Sequence, residues 1–197
     1  MSGLVLASGS VTRATLLANA GIAFDIMPAD IDEDEVKQEL RKKEAAPEEV
    51  ARTLAVSKAL EVSRRRPNDM VLGADQVLVF EGEIVSKSES LEEARELLMR
   101  LRGSSHTLIT ATALINRQAI WRYADKSELT MRDFSEEFLD EYLESEGVAI
   151  LGSVGCYRLE GLGMQLFEKI DGDYFSILGL PLLPVLVVLR EQGVVIE

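Results

Sequence analysis

The chain has one cysteine, Cys156, and one histidine, His106, in 197 residues. A disulfide framework within the chain is therefore excluded, and so is a zinc site of the Cys/His type, which needs several such ligands. A catalytic Cys–His pair would need both unique residues to meet. Basic residues are scarce as well: 21 Lys and Arg stand against 34 Asp and Glu, for a formal net charge of −13. That balance does not suit general nucleic-acid binding, because a phosphate backbone demands a basic face. A small anion can still be held where cations gather locally or a metal intervenes. Long apolar runs are missing too. The most apolar stretch, ILGLPLLPVLVVL at residues 177–189, is shorter than the roughly 20 residues of a membrane span and contains Pro181 and Pro184. It reads as a core helix. No basic region precedes the short apolar run at the amino terminus, so no secretory signal is expected. A cytoplasmic protein with neither membrane nor nucleic-acid partners is the expectation. Its chemistry is left to carboxylates, hydroxyls, Lys, Arg and a hard metal.

What is present is ordinary for a globular chain, 47% hydrophobic and 28% charged. Residues 4–7 form an apolar run of strand length. From Val11 the pattern turns helical, with Leu16, Leu17 and Ala20 on one face and Gly21 as the stop. Residues 22–28 read as a second strand, and the charged segment ADIDEDEVKQELRKKEAAPEE as exposed. Pro47 opens a helix running to about Arg66. MVLGADQVLVF is apolar on both faces and reads as a central strand, with a short return strand at residues 84–85. Ser90 and Glu93 make a capping-box pattern before the next helix. HTLITATALIN and AIWRYADKSELTM predict a long hairpin turning near residues 116–118. Ser135 caps a helix to about Glu146, several short strands broken by glycines follow, and a last helix begins near Pro181. Strands and helices mix without strict alternation, so the class is α/β or α+β with a mixed sheet in one domain.

Some residues stand out against this pattern. Asp75 lies inside the central-strand run, where a carboxylate is costly unless it is paired, hydrogen-bonded or metal-bound. It is either a structural carboxylate or a general base or metal ligand; in so apolar a run the chemical reading is favoured. Lys58 interrupts the stripe of Ala51, Leu54, Ala55 and Val62, either snorkelling past its edge or aiming an ammonium at an anion. Lys87 follows a strand in VSKSES, Glu33 lies in an acidic run, and His106 alternates with Leu108 and Thr110; each reads by itself as surface or structure. The opening LASGSVTR is stronger. Strand, small residues, then helix exposes free N–H groups at a helix N-terminus. Ser10 suits the N-cap, and Arg13 falls in the first turn, where its charge opposes the helix dipole unless an anion sits there too. No Walker A loop is present.

In order along almost the whole chain, LASGSVTRATLL, IDED, LAVSKA, GADQVLV, SKS, RGSSHTLIT, VGCYRLEGLG and KIDGDYFSILGLPL resemble the Maf family of nucleoside triphosphate pyrophosphatases. The resemblance implies a two-lobed α/β fold, akin to that of inosine-triphosphate-type pyrophosphatases, around a curved mixed β-sheet with a cleft for a nucleotide. It implies hydrolysis of the α–β phosphoanhydride to a nucleoside monophosphate and pyrophosphate with a divalent metal cation, Mg²⁺ or Mn²⁺. The family's phosphate loop falls on Ser8, Ser10 and Arg13, its lysines on Lys58 and Lys87, and its late substrate-binding glutamine on Glu160. Its acidic residue falls on Glu33 and its proton acceptor on Asp75; because Mg²⁺ prefers oxygen ligands and keeps several waters, one or two carboxylates suffice, and these two are the candidate metal ligands. Family members are often homodimers.

The chain departs from the family at Thr15, where a glutamate is frequent, and at Ser86-Lys87-Ser88, which replaces Gly-Lys-Pro. Gln76, after Asp75, is similar to the subfamily that favours 7-methyl-GTP over dTTP and UTP. The rival from another class is a non-catalytic nucleotide-binding regulator of septum formation.

Overall fold

The computed structural model describes residues 3–117 and 119–195. In chain order the elements are β1 (Leu4–Leu6), α1 (Val11–Asn19), β2 (Asp25–Ile26), α2 (Glu33–Lys42), α3 (Pro47–Arg65), β3 (Met70–Phe80) and β4 (Glu83–Val85). There follow α4 (Leu91–Leu101), β5 (Ser105–Asn116), β6 (Ala119–Met131) and α5 (Glu136–Glu146). Two 3₁₀ helices, Gly147–Gly152 and Leu162–Leu166, precede β7 (Phe167–Asp171), α6 (Tyr174–Ile177) and α7 (Leu182–Glu191). Among the described residues the sheet order is β2-β1-β3-β5-β6-β7, with β4 paired to β3 off this path. β1 pairs in parallel with β2 and β3, whereas β3–β4 and β6–β7 are antiparallel, so the sheet is mixed and the class is α/β. No helix among the described residues is long and apolar enough to cross a membrane.

The chain separates into two compact units, the first comprising Met1–Gln76, Ile109–Asp125 and Asp173–Glu197, the second Val77–Leu108 and Lys126–Gly172. In the first, Leu4 and Leu6 of β1 and Met70 and Leu72 of β3 form a core with Leu16 and Leu17 of α1 and Val185 and Leu189 of α7. Burying these side chains is the main favourable term for the unit. Pro47 starts α3, with Glu48 and Glu49 in its first turn and Arg64 and Arg65 in its last, the charge order that its dipole favours. Its buried face, Ala51, Leu54, Ala55, Ala59 and Val62, is made of small and branched residues. The small ones let its backbone close on β3 at Gly73. A Cβ added there would strike the Ala55 carbonyl and come within 2.9 Å of Ala59 Cβ.

In the second unit Ser90 caps α4 by accepting the Glu93 N–H at 3.1 Å, while Glu93 Oε2 accepts the Glu89 N–H at 2.8 Å. Ser135 caps α5 in the same way, accepting the Phe138 N–H. Tyr142 of α5 is fully buried and donates from its hydroxyl to the Cys156 carbonyl at 3.1 Å.

Several expectations change. The second strand shrinks to Asp25–Ile26, both exposed at the sheet edge. The charged segment is exposed but helical, with Asp32 capping α2 and Glu33, Asp34 and Glu35 in its first turn. The glycine-broken stretch is two 3₁₀ helices and turns before β7, not several strands. Gly163 marks a close approach: a Cβ there would lie 2.6 Å from the Arg158 carbonyl. The apolar run 177–189 is not one helix, because Gly179 at φ +97° breaks it between α6 and α7. At the hairpin, Arg117 adopts φ +56°; the expected turn position Gln118 lies outside the described residues.

Candidate active site

β1 pairs with β3 only as far as Leu6 opposite Leu72, and the Ala7 N–H still donates to the Leu72 carbonyl at 2.8 Å. Beyond that point β3 runs on through Gly73 and Ala74 to Asp75, while the chain after β1 turns into Ser8, Gly9 and Ser10. Asp75 and the serine loop therefore emerge at the same carboxyl end of a parallel pair, the end where α/β sheets place ligands. Ser10 is the N-cap of α1, and its Oγ accepts the Arg13 N–H at 3.3 Å. Ser8 is buried, and its Oγ accepts from the Ser10 N–H at 3.2 Å and from Arg13 Nη1 at 3.1 Å. Arg13 Nε donates to the Gly179 carbonyl at 2.7 Å. The guanidinium is thus bent back over the helix start by two partners, one of them 166 residues away in sequence.

α3 supplies the next group. Lys58 lies between Ala55 and Ala59, the two residues that touch Gly73, so the same close packing carries its ammonium to Asp75, two residues further along β3. Lys58 Nζ donates to Asp75 Oδ1 at 2.6 Å and lies 2.8 Å from Glu33 Oε1. The Lys58 and Asp75 side chains are 12% and 9% exposed, that of Glu33 41%, so the pair is sealed on one side and open on the other. Burial pushes the Asp75 carboxyl above its ordinary value; Lys58 and Arg13 pull the other way, and Glu33 adds to the rise. Burial draws the Arg13 guanidinium down from its ordinary value, with Asp75 and Glu33 opposing, and it remains a cation. Ser8, Ser10, Arg13, Glu33, Lys58 and Asp75 are therefore gathered in the first unit.

Lys87 and Glu160 belong to the second unit. Both are exposed, and Glu160 Oε1 lies 3.6 Å from Arg158 Nε. The Cys–His pair does not form. His106 Nε2 bonds Tyr157 Oη at 2.7 Å, whereas Cys156 Sγ donates to Ser88 Oγ at 3.3 Å. Burial lowers the His106 pKa to about 4 and raises that of the Cys156 thiol, so both are neutral structural groups.

The family model described as Maf-like protein matches residues 3–192. The chain belongs to the Maf family. Among its relatives, a protein of Granulibacter bethesdensis named nucleoside triphosphate pyrophosphatase is 50% identical over 190 residues, 96% of each chain. One of Maricaulis maris with the same name is 46% identical over 98% of each chain. A 7-methyl-GTP pyrophosphatase of Brucella abortus is 46% identical over 96% of each chain.

The donor chemistry of this Maf site bears on a metal. Among the described residues no group of three or more His, Cys, Asp or Glu is placed to hold one. The Glu33 and Asp75 carboxylates converge on one shared cation, the Lys58 ammonium. Two hard oxygen donors fit Mg²⁺, which keeps waters and takes its remaining ligands from phosphates. Sequence reasoning did not single out Gly73 or Gly179, on which the placement of Lys58 and Arg13 depends. A glycine inside a strand pattern was the available signal for Gly73.

Proposed function

We propose that this Maf protein is a nucleoside triphosphate pyrophosphatase: water attacks the α-phosphorus, the α–β bridging bond breaks, and a nucleoside monophosphate and pyrophosphate are released. The observation that carries this reading is the Lys58 ammonium held between Asp75 and Glu33, beside the Ser8–Ser10–Arg13 loop. Asp75 is the proton acceptor. A carboxylate whose pKa burial raises is a better base than an ordinary one, and its pairing with Lys58 favours the ionised form. Arg13 and the N–H groups at the start of α1 bind the triphosphate, and Lys58 offsets charge that builds on the leaving pyrophosphate. Mg²⁺ or Mn²⁺, held by Glu33 and Asp75, would supply further neutralisation of the phosphates. Lys87 and Glu160 are assigned to the substrate on the family resemblance. Nucleotide-pool cleansing in the cytoplasm, by a homodimer, goes with this reading.

The test is pyrophosphate release across dTTP, UTP, the other common triphosphates and 7-methyl-GTP with Mg²⁺ or Mn²⁺. We expect turnover that Asp75→Asn cuts by roughly 10³-fold or more while nucleotide binding persists. Full activity in that variant removes Asp75 from its role. Binding without turnover across the panel favours the regulator of septum formation. For the base, Gln76 and the Brucella relative favour 7-methylguanine. The Gln76 Nε2 amide donates to Thr110 Oγ1 and to the Ser176 and Ile177 carbonyls, which leaves Oε1 as the group it can present to a substrate.

A further inference from the structure

Arg13 is aimed by a turn, residues 173–179, that contains α6 and ends at the Gly179 carbonyl. Ser176 lies at the middle of this turn and is 1% exposed. Its hydroxyl donates to Asp125 Oδ2 at 2.7 Å, and its N–H donates to Asp173 Oδ2 at 2.7 Å. Its carbonyl accepts from Thr110 Oγ1 at 2.7 Å, from Gln76 Nε2 at 3.1 Å and from the Gly179 N–H at 2.9 Å. Because the Thr110 hydroxyl hydrogen is directed at Ser176, its oxygen is left to accept from Gln76 Nε2 at 2.8 Å. One polar side chain from each of β3, β5 and β6 therefore converges on this residue. All of them lie in the first unit.

The other end of the turn meets the guanidinium. Gly179 sits at φ +97°, a conformation L side chains rarely adopt, and a Cβ there would lie 3.3 Å from Arg13 Nε. With Nε on Gly179 and Nη1 on Ser8, Arg13 Nη2 makes no hydrogen bond to a described residue. The fork is held by two nitrogens and offers the third. A fork fixed in advance loses less rotamer freedom when a phosphate binds.

We infer that Ser176 is a positioning residue for Arg13: it ties the Gly179 carbonyl to β3, β5 and β6, so that the guanidinium is set before a triphosphate arrives. The inference rests on the proposed role of Arg13 as a triphosphate ligand. Ser176 touches no phosphate itself. Its effect on binding must therefore pass through Arg13 and vanish when Arg13 is gone.

The experiment is titration calorimetry with inorganic tripolyphosphate, which has no base to complicate the reading. It uses the full chain, Arg13→Ala, Ser176→Ala and the double variant, with thermal melts to establish folding. Ser176→Ala is expected to raise Kd about five- to tenfold, the scale of one lost hydrogen-bond constraint. In the Arg13→Ala background it is expected to change Kd less than twofold, a non-additivity that a general loss of structure would not produce. Asp125→Ala removes the partner of the Ser176 hydroxyl from a half-buried strand position. It should weaken binding in the same Arg13-dependent way, whereas Asp125→Asn, which keeps an acceptor, should not. If Ser176→Ala and Asp125→Ala bind like the unaltered protein, or weaken binding equally with and without Arg13, the positioning role is wrong and the triphosphate role of Arg13 stands. If the unaltered protein does not bind tripolyphosphate, or Arg13→Ala leaves Kd unchanged, the parent reading fails and takes this one with it.

Discussion

Lys58 faces two carboxylates with one positive charge, and its field is what holds the Asp75 pKa down against burial. Replacing it by Met removes the largest charge that opposes burial at Asp75 and leaves Arg13 as the remaining cation that offsets Glu33 there. The Asp75 pKa must then move further up. A general base works when deprotonated, so activity is lost as pH falls through its pKa. The acidic limb of kcat/KM in the unaltered enzyme should lie above the ordinary 3.8 of an aspartate. In Lys58→Met it should shift to still higher pH, with kcat reduced about 10²-fold or more. A limb that stays in place would belong to another group. Asp75 was legible in the sequence because a carboxylate in an apolar strand needs a partner. The identity of that partner was not, since Lys58 on its helical stripe fits a surface lysine equally well.

At the scale of elements, the site depends on how closely α3 approaches β3. Gly73 permits backbone contact with Ala55 and Ala59, and Lys58 lies between those two residues. Gly73→Ala would force α3 outward. Overpacking of this kind costs about 1–3 kcal/mol, so the melting temperature should fall by several degrees. The Lys58–Asp75 bond should lengthen with it, and kcat should drop while pyrophosphate remains the product. A variant with unchanged melting temperature and kcat would show that the helix is free to shift without cost. The helices α1, α3, α4 and α5 were visible in the sequence from their caps and apolar spacing, because those signals are local. α2 was hidden because its segment has almost no apolar face: Leu40 is its one buried residue. Its helix is supported instead by the Asp32 cap and by acidic residues at its start and basic ones at its end.

For the molecule as a whole, buried groups decide how stability follows pH. His106 is 2% exposed, and its pKa falls to about 4 from an ordinary 6.5. Between those values the unfolded chain binds a proton that the folded chain does not. Stability from this group is therefore complete above about 6.5 and is lost as pH falls toward about 4, by roughly 3 kcal/mol. Asp75 contributes with the opposite sign: its raised pKa favours the fold below 3.8, and that contribution disappears as pH rises through the folded value. Urea unfolding at pH 7 and pH 4.5 should show the larger loss on acidification in the unaltered protein and a smaller one in His106→Gln. Equal losses in the two proteins would refute the assignment to His106. The formal charge of −13 sets a further condition for the proposed function: a triphosphate has to be attracted locally, by Arg13, Lys58, Lys87 and the start of α1.

The sequence by itself determined the class of fold, the capped helix after LASGSVTR, the structural rather than catalytic reading of His106 and the family to which the chain belongs. These follow from local patterns: strand and helix periodicity, capping residues and the order of motifs along the chain. Only the tertiary structure decided that Lys58 bridges Asp75 and Glu33. It also decided that the first-turn Arg13, which faces an unfavourable helix dipole, is held by a carbonyl from the far end of the chain. Both depend on backbone surfaces meeting, α3 on β3 and residues 173–179 against α1. No local pattern encodes such meetings: in sequence Gly73 reads as part of a strand and Gly179 as part of a helix, and neither context names the surface that the glycine lets approach.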